Sequence, residues 1–387
     1  MGTLIVYHNE QECRMNLTEI FCPNIECPAK GQTGQGNISV HSEKEKRCYC
    51  NVCQTTFSVS KGTIFYRLKT DPVKVMLVIA LLAYGCPLQA IVMAFGLDER
   101  TVKMWWQRAG AHCQQVHEHM VGKSQLDLQQ IQADEIKVKV QGKTVWMALA
   151  MMVSTRLWLG GVVSLRRDKA LIRALVAQVR QVALCRPILV AVDGLSSYVS
   201  AFQEAFRTKL PRYGQVGRAK LRAWTEVAIV QVVKQRLNGR LTIDRRIVQG
   251  TQTMVAQLIQ LSQGVGSINT AFIERLNATF RQRLASLARR TRNLARHPET
   301  LQAGMYVVGC LYNFCTYHDS LRVPFYLARG GRRWLHRTPA IAAGLTNHCW
   351  SVEELFNFKV PPVRWQPPKQ RGRRSQQTFC LIQQWCS

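Results

Sequence analysis

The sequence is short of acid. Its 23 Asp and Glu residues stand against 52 Lys and Arg, a formal charge of +29 over 387 residues. Such an excess disfavours cationic partners and points to a polyanion, with nucleic acid first and an anionic membrane surface second. A long apolar run is also missing. Met76–Ala83 is too short to span a bilayer and Val145–Val163 is broken by Ser154-Thr155-Arg156, so no membrane-spanning segment is expected. The N-terminus MGTLIVYHNEQECR lacks a basic stretch leading into an apolar core and cleavage site, so no secretory signal is expected and the reading is intracellular. With 47% hydrophobic residues, there is enough material for one large core and one or two small modules.

Fourteen cysteines are present. Those scattered through apolar stretches, such as Cys185, Cys310 and Cys315, read as small core residues in a reducing compartment. The N-terminal group is different. CPNIECPAKGQTGQGNISVHSEKEKRCYCNVC places Cys22 and Cys27 at one end of a Gly-rich hairpin, and Cys50 and Cys53 at the other, at the spacing of a zinc ribbon over residues 1–66. Four thiolates so placed can hold one structural Zn²⁺ and replace the core that so small a fold lacks. Cys48 offers an alternative to Cys50, whereas Cys13 lies too far upstream.

Residues 67–122 carry apolar positions at helical spacing, with helices expected at Val73–Tyr84, Leu88–Phe95 and Glu99–Cys113. Gly85-Cys86-Pro87 and Gly96-Leu97-Asp98 separate them, and Asp98 suits an N-cap. The outline is that of a helix-turn-helix, with a plain helical bundle as the alternative. Arg100, Lys103 and Gln107 share one face of the last helix, opposite Val102, Trp105 and Ala109, and form an edge suited to a major groove. Trp105-Trp106 reads as core.

From residue 123 the period changes. Gln132–Val140, Thr144–Val153 and Leu157–Leu165 read as a three-stranded meander, Asp168–Leu184 as a helix, and PILVAV (Pro187–Val192) as a buried parallel strand ending at Asp193-Gly194. A helix about Tyr198–Arg207 follows, then a basic mobile loop Lys209–Arg222, two strands within Trp224–Ile243, and a helix within Ser267–Asn293. This is the element order of an α/β, RNase H-like core at 123–325, with a basic insertion at about 208–268. The remaining 326–387 reads as a basic tail carrying Lys369, Arg371, Arg373 and Arg374.

On that order Asp134, Asp193 and Glu274 converge at one sheet edge. Two Mg²⁺ (or Mn²⁺) ions ~4 Å apart need several hard oxygen ligands, which three carboxylates, a DNA phosphate and water supply. In the last helix Ile273, Leu276, Phe280, Leu284 and Leu287 form the buried stripe, and Glu274 and Arg281 lie along its flank. Arg281 is placed to hold a phosphate or to pair with Glu274. Arg283, Arg289, Arg290 and Arg292 extend the basic track along a DNA backbone. Each acid also has an ordinary role open to it: Asp193 caps a turn before Gly194, and Glu135 can substitute for Asp134.

CPNIECP with RCYCNVCQTTFS, QADEI, VAVDG, INTAFIERLNATFRQRLASLARRTR and YNFCTYHDSLR together resemble DDE transposases of bacterial and archaeal insertion sequences, in the branch related to insertion sequence one. The resemblance covers most of the chain, and the block around Glu274 is its most specific part. It implies an enzyme that binds the terminal inverted repeats of its own element as double-stranded DNA. Such an enzyme cuts DNA to leave 3′-hydroxyls and joins those ends to target DNA. By position, Asp134, Asp193 and Glu274 are the implied catalytic acids, and Cys22, Cys27, Cys50 and Cys53 the implied zinc ligands. His318 lies in a segment of the same type, either bordering the active site or as an ordinary surface histidine. Gln132-Ala133 before Asp134, the spare Cys48 and the basic loop depart from the pattern. Holding two DNA ends implies at least a homodimer, cytoplasmic and nucleoid-associated. The competing readings are a transposase-derived DNA-binding protein without catalysis and a structure-selective nuclease.

Overall fold

Three short antiparallel strands, β1 (Ile38–Ser42), β2 (Arg47–Cys50) and β3 (Thr55–Ser58), pair in that order in the cysteine-rich head. The computed structural model of the chain describes residues 15–140, 142–211, 214, 216–237, 240–264, 266–288, 293, 295, 297–326, 332–367 and 369–386. The chain divides into two compact units, Met1–Lys69 with Asn357–Ser387, and Thr70–Phe356. This differs from the four-part division expected from the sequence. The end of the chain joins the head, and the three helices after Lys69 share a unit with the large sheet.

Within the smaller unit the buried core is Ile20, Cys22, Cys27, Ile38, Cys48, Cys50 and Phe57, closed by Trp385. Trp385 belongs to a C-terminal helix, Gln376–Trp385, whose start is capped by the Ser375 hydroxyl accepting from the Thr378 amide. Its carbonyl accepts from Gln32 Nε2 at 3.0 Å. A head with this little apolar material gains a large aromatic from the far end of the chain, so 326–387 is not simply a basic tail.

In the larger unit, α1 (Pro72–Ala83) starts behind an Asp71 cap with Pro at its first position, and α2 (Leu88–Phe95) ends at Gly96 in the left-handed conformation, φ 60°. Then α3 (Glu99–His117) begins where the Asp98 carboxylate accepts from the Arg100 and Thr101 amides. It outlasts its expected end at Cys113 by a turn.

A meander of β4 (Gln130–Val140), β5 (Lys143–Met152) and β6 (Trp158–Ser164) follows, then α4 (Lys169–Val182) and β7 (Ile188–Asp193). After α5 (Ser196–Ala205), the short strands β8 (Arg207–Lys209) and β9 (Leu221–Ala223) pair with each other, so the expected mobile loop is tied at both ends. Next come β10 (Val227–Leu237), β11 (Arg240–Gln249), α6 (Gln252–Gln263), α7 (Ala271–Arg283) and α8 (Pro298–Phe314).

The main sheet has six strands in the order β11-β10-β7-β4-β5-β6. It is mixed: β7 runs parallel to both β4 and β10, and the remaining pairs are antiparallel. Residues Ile188–Val192 are all buried, as a strand covered on both faces requires. The stretch 208–268 is therefore not an insertion beside the sheet, since β10 and β11 are two of its strands and α6 packs on β7 and β10 through Val255, Leu258 and Ile259. The helix carrying Glu274 stops at Arg283 instead of running to residue 293. Leu284 turns extended (φ −110°, ψ 110°) and a 3-10 turn, Ala285–Leu287, keeps Leu284 and Leu287 buried.

Helix α3 is packed into this unit along α8. A Cβ on Gly110 would lie 2.3 Å from the Ala303 Cβ, so the two backbones meet only because position 110 has no side chain. Trp106 Nε1 donates to the Thr300 carbonyl at 3.3 Å, and Trp105 is 1% exposed, as its core reading required. Gly110→Val should therefore lower stability by ~1–3 kcal/mol through overpacking, read from the midpoint of urea unfolding; an unchanged midpoint would mean the two helices do not meet there.

Candidate functional site

The parallel ladder between β4 and β7 runs Gln130↔Leu189, Ile131↔Val190 and Gln132↔Ala191, and then stops. Two residues further along each strand come Asp134 and Asp193. The strand order turns in opposite directions on either side of this pair, β5 beyond β4 and β10 beyond β7. Such a switch point leaves a crevice at the carboxyl end of the parallel strands. Here it is a cavity of about 550 Å³ lined by Asp134, Arg167, Asp193, Lys234, Thr270 and Glu274, among others.

Each carboxylate is fixed by its own neighbours. Asp134 Oδ1 accepts from the Glu135 amide at 2.8 Å and Oδ2 from Asn277 Nδ2 at 2.8 Å. Asp193 Oδ1 accepts from the Leu195 amide at 3.0 Å. Glu274 accepts from the Thr270 hydroxyl at 2.8 Å and pairs with the Lys234 ammonium. The relation between α7 and β4 is set by Gln132, which is fully buried: its Oε1 accepts from the Ile273 amide at 3.0 Å and its Nε2 donates to the Asn269 carbonyl at 2.8 Å. Gln132 thus joins the strand of Asp134 to the helix of Glu274.

The oxygens that come together most closely are those of Asp134, Glu135 and Asp193, all within 4.8 Å of one another. Glu274 lines the same cavity but stands outside that group. Arg167 Nη2 bridges the near acids, 3.4 Å from Glu135 Oε2 and 3.4 Å from Asp193 Oδ2, with its guanidinium 5.0 Å from the Trp146 ring centre. Burial, then the charges of Asp193 and Glu274, raise Asp134, while the Glu135 amide and Arg281 work the other way. Burial and Asp193 push Glu135 up to about 7 despite Arg167. Glu274 goes down: partial burial opposes the shift, but the Lys234 and Thr270 hydrogen bonds outweigh it. Glu135 Oε1 and Asn277 Oδ1 are buried acceptors without a hydrogen-bond partner. Hard oxygen donors, crowded and in part unsatisfied, suit a divalent cation.

Glu135, Arg167, Lys234, Thr270 and Asn277 were not picked out as functional from the sequence, except Glu135 as a substitute for Asp134. Asn277 had a signal: it is a polar residue on the buried stripe of α7, between Leu276 and Phe280. Glu274 is paired with Lys234 and not with Arg281, whose charge is the smallest of the influences on Asp134. Arg283 turns away from the cavity, stacking 4.8 Å from the Tyr84 ring centre and donating to Thr316 Oγ1 at 3.2 Å. Arg289, Arg290 and Arg292 lie outside the described residues. On α3, Arg100 and Gln107 are exposed, while Lys103 is paired with Glu99 in the same helix. His318 is half-buried with its ring centre 4.5 Å from that of Tyr312, lowered to about 4 by burial and the charges of Arg283 and Arg156, and does not line the cavity.

In the smaller unit, Cys22, Cys27, Cys50 and Cys53 bring their sulfurs within 4.8 Å of one another, with Cys22–Cys53 at 3.6 Å and Cys27–Cys50 at 3.8 Å. None is in a disulfide. Burial pushes Cys27 up to about 12 and raises Cys22, whereas the Thr55 and Asn24 hydrogen bonds bring Cys53 down to about 6 against its partial burial. The sulfur that joins Cys22, Cys27 and Cys53 is that of Cys50 and not of Cys48, so Cys50 is the fourth member. Four thiolates ~2.3 Å from a tetrahedral ion lie ~3.8 Å apart, and the two measured separations match.

A scan against protein-family models and a search of curated proteins both find no match to this chain. The site is therefore read on its own chemistry. Because Glu135 is raised in the folded state, its contribution to stability is present below its ordinary range and lost as pH rises toward about 7. In metal-free protein the melting temperature should fall between about pH 5 and 7, by on the order of 2 kcal/mol of stability, and Glu135→Gln should flatten that slope. An equally steep slope in the variant would assign the pH dependence elsewhere.

Proposed function

We propose that this chain is a transposase that binds the terminal inverted repeats of an insertion sequence, cleaves DNA strands with divalent metal and joins the 3′ ends to target DNA. The observation that carries the reading is the cavity at the β4/β7 separation, with Asp134 and Asp193 at its base and Glu274 across it on α7. A meander, a helix, a parallel strand ending in Asp and a late helix bearing Glu make an RNase H-like core. The formal charge of +29 supplies the attraction to DNA.

A pair of Mg²⁺ or Mn²⁺ ions held by Asp134, Asp193 and Glu274 would activate the attacking oxygen and stabilise the leaving 3′-oxygen. The protein's own part is orientation. Asn277 and the Glu135 amide hold Asp134, the Leu195 amide holds Asp193, and Thr270 holds Glu274. Gln132 keeps the helix and strand in register, so the three carboxylates meet a phosphodiester in one arrangement. Lys234 on Glu274, together with Arg167, faces the same cavity and can receive phosphate oxygens. In cleavage, water attacks a strand phosphate and the 3′-oxygen leaves as a hydroxyl. In joining, that hydroxyl attacks a target phosphate and the target's own 3′-oxygen leaves.

The four thiols take one structural Zn²⁺, which holds the head in the form that contacts the element ends. Arg100 and Gln107 on α3 are available to a groove, whereas Lys103 first has to release Glu99. Two ends held together call for at least a homodimer.

With Mg²⁺ and a labelled duplex bearing the ends that flank the gene, Asp193→Asn and Glu274→Gln should each reduce cleavage and joining by at least ~10²-fold with end-binding retained. Cleavage as fast as the parent's would overturn the active site, and end-binding without any cleavage by the parent would leave a DNA-binding protein. Cys50→Ser should lower bound zinc from about one per chain toward none; retained zinc would reject that ligand set.

A further inference from the structure

Two of the three near carboxylates share a single cation. Arg167 Nη2 reaches both Glu135 Oε2 and Asp193 Oδ2 at 3.4 Å, and its guanidinium carbon lies over the Trp146 ring, 5.0 Å from the ring centre. Of its two acids, the Glu135 side chain is almost wholly buried at 1% exposure, while Asp193 is 37% exposed, as is Arg167 itself. One end of the bridge is therefore anchored in the interior and the other faces the cavity. The Tyr198 hydroxyl is fully buried and unpartnered, and its surroundings carry the charges of Glu135, Asp134 and Asp193, so the anchor side leaves polar capacity unused.

We infer that Arg167 is the resident counter-ion of Asp193: it occupies the electrostatic place of a divalent cation, yields Asp193 when the cation arrives, and stays tethered through Glu135 with its freed N–H groups aimed into the cavity. The inference rests on the metal-dependent reading of the site given above. Two positive centres cannot share the same outer oxygen of Asp193 without repulsion, so cation binding and the Arg167–Asp193 bond exclude each other. Glu135 and Trp146 keep the guanidinium from leaving for solvent. An arginine held this way offers its remaining donors to an anionic oxygen brought to the same cavity, the geometry that favours arginine over lysine for phosphate. Arg167 is thus a positioning residue for Asp193 before loading.

The test is Mn²⁺ binding by the full chain without DNA, followed by the free-ion electron paramagnetic resonance signal. Breaking a partly exposed pair should tighten Mn²⁺ binding about fivefold in Arg167→Gln. Arg167→Lys, which keeps the charge and loses the fork, should fall between that variant and the parent. If Arg167→Gln binds Mn²⁺ no more tightly than the parent, the counter-ion role is wrong while the transposase reading stands. If it binds more tightly but the parent cleaves no DNA, the transposase reading is wrong and the counter-ion role stands. Should Arg167→Gln fail to fold, the unmutated chain decides: adding Mg²⁺ must shift the Arg167 Nε–H resonance, assigned from its absence in Arg167→Lys, and an unmoved resonance overturns the inference.

Discussion

Mutual repulsion between carboxylates is the constraint that the crevice at the ends of β4 and β7 has to answer. Asp134, Glu135 and Asp193 bring oxygens within 4.8 Å of one another in a partly buried crevice, in a chain that otherwise has more than twice as many basic residues as acidic ones. Left alone, such a group would protonate or open. Arg167 answers the charge of Glu135 and Asp193, and Lys234 answers Glu274 across the cavity. The basic character of the surface is of no help at this depth, because exposed charges are screened over about a Debye length. Neutralisation has to come from side chains in contact, and two cations line the cavity next to the acids.

That requirement explains why so much of the fold is devoted to alignment. The β4/β7 ladder brings two aspartates level and then ends, so their side chains leave the sheet where the strands part. Gln132, in the last pair of that ladder, uses both ends of its amide to dock the start of α7. Gln130, on the same strand, accepts from Ser262 of α6 at 2.6 Å. Two buried amides on one strand thus position the two helices on that side of the site. A buried amide without its partners is costly, so these contacts hold α6 and α7 in one register more strictly than apolar packing does.

Much of this was readable from residue order. The meander, PILVAV, the three helices after Lys69 and the grouping of Cys22, Cys27, Cys50 and Cys53 all follow from spacing and turn residues close in sequence. The meeting of Asp134 with Asp193 was legible because PILVAV reads as a buried parallel strand ending at Asp193, in the same sheet as the strand that carries Asp134. What was not legible depends on contacts distant in sequence. Arg167 lies between the expected strand Leu157–Leu165 and the expected helix Asp168–Leu184, and only the fold brings it to residues 32 and 26 positions away in the chain. Lys234 lies within the stretch Trp224–Ile243 expected to make two strands, and it reaches the site only because β10 pairs with β7. The C-terminal helix had no visible partner in its own neighbourhood, and Trp385 finds one in the cysteine-rich core. The over-long reading of α7 has a local cause: its apolar stripe continues through Leu284 and Leu287, which remain buried after the helix has ended.

Glu274 differs from the two aspartates in how it is held, and the difference has a consequence on the transposase reading. Asp134 is fixed by an amide and a buried asparagine, neither of which carries a charge that a metal would have to displace. Asp193 and Glu274 are each engaged by a cation, one tethered by Glu135 and the other on a long, exposed lysine stem. Lys234 can swing away at little cost, because an exposed pair contributes ~0–1 kcal/mol. Asp134 is therefore the fixed ligand, and the other two become available as their counter-ions move toward incoming phosphate. Cation and phosphate then reinforce each other's binding, since each relieves the charge that the other disturbs. On that reading the DNA-free site holds metal weakly, and incoming phosphate strengthens the hold.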